Sequence, residues 1–181
     1  GLRVEINDAL EDIEKLEKLE IYFCFNELPF YHNSSVYANM KSLIVHKVNS
    51  TNNLLILLLK MPNLETLSVG DRSSTQYYDF LLETLCKMKS LKVLYIGFEI
   101  MSDKAFASSK EIEMMKKLCE NLDEFSISFT RKDKSFPFAY QLYEKLENCL
   151  LMDVFFDDGG EGKFLVLQKN AQEGSLNREM D

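Results

Sequence analysis

One spacing of apolar residues recurs along the chain: a leucine, two intervening residues, a second leucine, one intervening residue, then an aliphatic side chain. Leu64, Leu67 and Val69 carry it, and it returns as Leu16/Leu19/Ile21, Met40/Leu43/Val45, Leu91/Leu94/Ile96 and Leu122/Phe125/Ile127. The last two members of each copy lie two residues apart, the period of a strand with one covered face. Leu67 and Val69 therefore point into a core, and Thr66, Ser68 and Gly70 point the other way. The first core residues of the strands, Leu19, Leu43, Leu67, Leu94 and Phe125, follow one another at intervals of 24, 24, 27 and 31 residues.

Between these strands the period changes to that of helices. Leu10, Ile13, Leu16 and Leu19 follow Asp8 at three-residue steps, after a strand of Leu2, Val4 and Ile6. Leu54 to Met61 forms a short, very apolar helix ended by Pro62. Tyr77, Phe80, Leu81, Leu85 and Met88 make the next, opened by Ser73 and Gln76 as a capping box. Ser108 and Glu111 open a helix carrying Ile112, Met115, Cys119 and Leu122, and a further helix presents Phe138, Leu142, Leu146 and Cys149 on one face. Glu27 to Asn39 reads as loop. Leu150 to Phe156 is a strand, and Phe164 to Leu167 a last one, antiparallel to it across a turn from Asp157 to Gly162.

Each unit runs strand, turn, helix and back to strand. One such unit cannot bury its own apolar face, so the units are expected to stack. The pattern resembles the leucine-rich repeats of the ribonuclease-inhibitor-like class. Cys119-x-x-Leu122-x-x-Phe125-x-Ile127 and the segment Gly97 to Phe106 are similar to the cysteine-containing repeats of F-box leucine-rich proteins. The asparagine that many such repeats place after the strand is missing, the repeat lengths drift, and no F-box is visible. The resemblance implies an α/β leucine-rich-repeat solenoid, with a curved, mainly parallel sheet on the concave side and helices on the convex side. The expected organisation is a repeat domain over residues 1–169 and a flexible tail over 170–181. The skeleton already runs at the first residues, which suggests a piece of a longer protein.

Composition narrows the function. Net charge is −8 with a pI near 4.9, so the basic footprint that general nucleic-acid or anionic-membrane binding needs is absent. No apolar run approaches the length of a membrane span. Cys24, Cys86, Cys119 and Cys149 are scattered singly and read as reduced, buried thiols of a cytoplasmic protein. The sequons at Asn33 and Asn49 count as chance in that setting.

Candidate chemistry changes little. His32 and His46 are the two histidines, and neither has a cysteine or carboxylate at a catalytic or metal-binding spacing. Gly159 to Lys163 departs from a phosphate loop, with Asp157 at the first glycine position and Phe164 where a hydroxyl would hold magnesium. Asp157, Asp158 and Glu161 lack the alternation of a calcium loop. The expectation is a non-enzymatic protein-interaction domain with no cofactor and no metal. Its partners are expected to be proteins, with no nucleic acid, membrane insertion or small-molecule substrate. The strand register nominates Tyr22, Ile44, His46, Ser68, Tyr95, Ser126 and Ser128 as the binding stripe on the concave face. The resemblance implies substrate recognition in an F-box-type ubiquitin ligase adaptor, or alternatively the ligand-sensing or autoinhibitory repeats of a nucleotide-binding (NOD-like) innate immune receptor.

Overall fold

Alternation of apolar and polar residues determines how the strands lie, because a strand can cover only one of its faces. The computed structural model describes residues 17–21, 37–48, 51–72, 78–98, 108–130, 136–155 and 163–170. Seven strands form one sheet: β1 (Lys18–Ile21), β2 (Ser42–Val48), β3 (Thr66–Arg72), β4 (Val93–Phe98), β5 (Glu124–Thr130), β6 (Cys149–Phe155) and β7 (Lys163–Lys169). The helices with described bounds that lie between them are α1 (Thr51–Leu59), α2 (Tyr78–Lys87), α3 (Ser109–Asn121) and α4 (Phe136–Lys145). The expected strand at residues 2–6, the first helix, the Ser73/Gln76 capping box, His32, the 157–162 turn and the tail beyond residue 170 lie outside the described residues.

β1 to β5 are parallel and in chain order, with Leu19, Leu43, Leu67, Leu94 and Phe125 side by side. The next inward position makes an apolar row across the whole sheet: Ile21, Val45, Val69, Ile96, Ile127, Leu167 and Leu151. From Val45 to Leu167 these side chains are buried, at most 2% exposed. The helices contact one another in sequence, α1 with α2, α2 with α3 and α3 with α4. They contribute Leu54, Leu58, Leu81, Leu82, Leu85, Met115, Leu118 and Leu142 to the same core. Burying each leucine stabilises the fold by roughly 1.5–3 kcal/mol.

α3 begins at the capping box the sequence announced. The backbone N–H of Glu111 donates to Ser108 Oγ (3.3 Å), and the N–H of Ser108 donates to the Glu111 carboxylate (2.6 Å). Two helix assignments shift. Phe80 is 59% exposed and Leu82 takes its place in the core. Cys149 is not on α4 but opens β6, because Asn148 adopts a left-handed conformation (φ 59°) that turns the chain after the helix.

The solenoid expected from the resemblance is corrected by the far end of the sheet. The order is β1-β2-β3-β4-β5-β7-β6, and both pairs involving β7 are antiparallel. β7 inserts between β5 and β6, so β5 meets a returning strand instead of another parallel unit. The result is a mixed α/β sheet of seven strands, mostly parallel, that is not curled into a solenoid. The repeat spacing is local information, whereas the pairing of β7 with a strand more than thirty residues upstream is not.

The parallel strands are joined at their entrances by a second device. The carbonyl oxygen of Glu17 accepts from the N–H groups of Lys41 and Ser42, that of Lys41 from Glu65 and Thr66, that of Glu65 from Lys92 and Val93, and that of Lys92 from Asp123 and Glu124, all at 2.8–3.1 Å. The residues that carry this ladder are Glu17, Lys41, Glu65, Lys92 and Asp123, so charge alternates from strand to strand. Lys41 Nζ lies 3.5 Å from Glu17 and Lys92 Nζ 2.9 Å from Glu65. Lys92 holds the Glu65 carboxyl below its ordinary range, by hydrogen bond and then by charge. The ladder makes two predictions. Lys92→Glu sets three acids in a row and is expected to lower the urea midpoint, with Glu65→Lys in the same chain restoring part of the loss. Because the folded pKa of Glu65 is lowered, its contribution is present above the ordinary glutamate range and fades as pH falls through the folded value. The difference in urea midpoint between the wild type and Lys92→Glu should therefore shrink on acidification.

Candidate functional site

Helices α1 to α4 cover one face of the sheet, and the outward positions of the strands line the other. Strict register arranges those positions in rows. One row crosses all seven strands as Glu20, Ile44, Ser68, Tyr95, Ser126, Gln168 and Leu150. The row on its entrance side is Lys18, Ser42, Thr66, Val93 and Glu124. On the far side Gly97, Ser128, Val166 and Met152 pair in turn.

Of the nominated stripe, Ile44, Ser68, Ser126 and Ser128 are half-buried, while His46 and Tyr95 are exposed; Tyr22 lies outside the described residues. Ser68, Tyr95, Ser126 and Ser128 come together around a shallow hollow of about 210 Å³, floored by Gly70 and Gly97. Small side chains on three adjacent strands leave that hollow, and Tyr95, 39% exposed, stands at its centre strand.

Two carboxylates, both absent from the nominated stripe, tether its larger side chains. The Tyr95 hydroxyl donates to Glu124, and His46 Nε2 lies 2.6 Å from Glu20 Oε1. Each is a diagonal contact between neighbouring strands: Glu124 pairs with Val93, two residues before Tyr95, and Glu20 pairs with Ile44, two before His46. Glu124 alternates with Ser126 and Ser128, a signal that could have added it. Gln168, Val166, Leu150 and Met152 join the face only because β7 inserts beside β5, which no local pattern announces. Hydrogen bonding to Glu124, followed by burial and the carboxylate charge, pushes the Tyr95 phenol up from its ordinary value. The proton therefore stays on tyrosine, and the pair is a positioned hydrogen bond. Among the described residues no group of three or more histidine, cysteine, aspartate or glutamate side chains is arranged to hold a metal. Nor is any helix there long and apolar enough to cross a membrane.

No family model matches the chain, and no curated protein matches it. A search of solved structures returned the crystal structure of an rRNA methylase from Streptococcus thermophilus, with a TM-score of 0.29 and 10% identity over 94% of this chain and 99% of that one. The leucine-rich-repeat assignment is withdrawn on the sheet topology, where β7 pairs antiparallel between β5 and β6, and the adaptor and immune-receptor roles lose the resemblance that implied them. The expectations of no enzymatic activity and of no nucleic-acid or small-molecule partner are not kept either. At that TM-score and identity, neither the methylase's activity nor its substrate transfers to this chain.

Two measurements test this face. A methyl group at Gly70 would sit 2.1 Å from the carbonyl oxygen of His46 on β2, so backbone would have to move. Gly70→Ala is expected to destabilise the protein by about 1–3 kcal/mol, read from urea unfolding. In an ultraviolet pH titration, Glu124→Gln should bring one tyrosine's ionisation down towards the ordinary range. An unchanged titration would mean that the Tyr95–Glu124 bond does not form in solution.

Proposed function

We propose that the uncovered sheet face is a protein-binding surface, centred on Tyr95 and Ser126 and reaching Ile44, His46, Ser68 and Ser128. The observation that supports this most is the hollow of serines and glycines around an exposed tyrosine that Glu124 holds in place. A tyrosine already oriented by a hydrogen bond loses little freedom on contact, and tyrosine is enriched among residues that dominate interface energy. Hydroxyls around it offer adaptable hydrogen bonds. Backbone pairing on both sides makes the platform stiff. The chain's charge of −8 favours a partner with a basic surface, which would be steered on approach. The free thiols Cys86, Cys119 and Cys149 support a reducing, cytoplasmic setting.

A photo-crosslinking amino acid at position 95 tests the proposal in cells. It should capture a defined protein. The same group at Glu113, on the outer side of α3, should not. With the captured partner in hand, Tyr95→Ala should weaken binding by about tenfold or more. Equal capture at both positions, or capture of nucleic acid alone, would overturn it.

A further inference from the structure

Away from the sheet face, two cysteines that are thirty residues apart in sequence meet in space. Cys119 is on the last turns of α3 and Cys149 is the first residue of β6, and their sulfurs are 3.3 Å apart. Both residues are buried, at 5% and 7% exposure, and both are free thiols. They are not equivalent. Cys119 forms part of the wall of a cavity of about 280 Å³, and Cys149 does not. That wall also carries Lys116, Lys145 and Lys169, with Glu120 and Glu147 as counter-charges.

Lys169 is placed by three constraints. It pairs with Cys149 in the β6–β7 register, its ammonium donates to the carbonyl oxygen of Leu122 (2.5 Å), and its charge reaches both thiols. The Cys119 thiol is brought down to about 7, first by the hydrogen bond with Cys149 and then by Lys169, against the opposing effect of burial. Cys149 is pushed up, first by the hydrogen bond with Cys119 and then by burial. Of the two sulfurs, Cys119 is the one on the cavity wall, with the Cys149 sulfur in hydrogen-bonding contact with it.

We propose that Cys119 and Cys149 form an oxidisable dithiol, which a small hydroperoxide entering the lysine-lined cavity converts into a disulfide tying α3 to β6. The Cys119 thiolate attacks the terminal oxygen of the hydroperoxide. The O–O bond breaks, the alcohol (water, from hydrogen peroxide) leaves after taking up a proton, and Cys119 becomes a sulfenic acid. The Cys149 sulfur then attacks the Cys119 sulfur. The S–S bond forms as the S–O bond breaks, and the hydroxide released takes the Cys149 proton to become water. Two thiols lose two electrons and two hydrogens, and the hydroperoxide is reduced to alcohol and water. A cellular thiol reverses the step by exchange. The oxidised bond would cross-link the two elements that flank β5 and α4 in sequence, at the end of the sheet where the parallel order gives way to the antiparallel pair.

The test uses the whole chain with hydrogen peroxide as the oxidant, followed by alkylation of the remaining thiols and peptide mapping. The expected product is a linked Cys119–Cys149 peptide, lighter by two hydrogens and restored by dithiothreitol. Its formation should raise Tm by about 10 °C, because it closes a loop of about thirty residues. Cys149→Ser should leave a sulfenic acid at Cys119 that dimedone traps, and Cys86→Ser should change nothing. If the variants do not fold, the wild-type peptide map still decides. Oxidation confined to Cys24 or Cys86, or Cys119 and Cys149 still fully alkylated after peroxide, would overturn the proposal.

Discussion

The structure depends on the in-register pairing of β1 to β5. Parallel strands exchange evenly spaced backbone hydrogen bonds, and at each entrance one carbonyl accepts two N–H groups from the next strand. That double acceptance lets like positions fall beside like positions, so each choice of residue is multiplied across the sheet. A leucine at the inward position becomes a leucine row. A charge at the entrance would become a row of repelling charges, and the alternation of Glu17, Lys41, Glu65, Lys92 and Asp123 avoids this. The entrance side chains are exposed, where ion pairs contribute little. They select the register, and the apolar rows supply the stability.

The same rule shapes the open face. Serine and glycine at successive outward positions of β3, β4 and β5 produce a hollow instead of isolated gaps. Tyr95 stands among them as the large outward side chain of β4. Its hydroxyl reaches Glu124 because a diagonal across two strands brings the two within hydrogen-bonding distance. The close approach of β2 and β3 at Gly70 belongs to the same geometry, since any Cβ would meet the His46 carbonyl. The site is a property of register more than of any single residue.

At the other end the rule stops. Asn148 turns the chain after α4, β6 starts at Cys149, and β7 slips between it and β5. This reversal brings Lys169 beside Cys149 and the α3 terminus, and it places Cys119 next to Cys149 under a lysine-lined cavity. Singly scattered cysteines, which in the linear chain look like ordinary core packing, acquire a partner from it.

The linear order of residues determined the strands, their inward and outward faces, the apolar skeleton and the capping of α3, because each depends on neighbours within a few positions. It held the entrance charge ladder as well, legible as one position two residues before each first core residue. It placed Ile44, His46, Ser68, Tyr95, Ser126 and Ser128 on one face, since alternation alone settles which way a strand residue points. Tertiary structure decided the rest. It turned an apparent repeat array into a mixed sheet and added Gln168, Val166, Leu150 and Met152 to the open face. It also joined Tyr95 to Glu124 and Cys119 to Cys149. Each of these needs contacts between segments separated by tens of residues, and local periodicity carries no information about which distant strand will close the sheet.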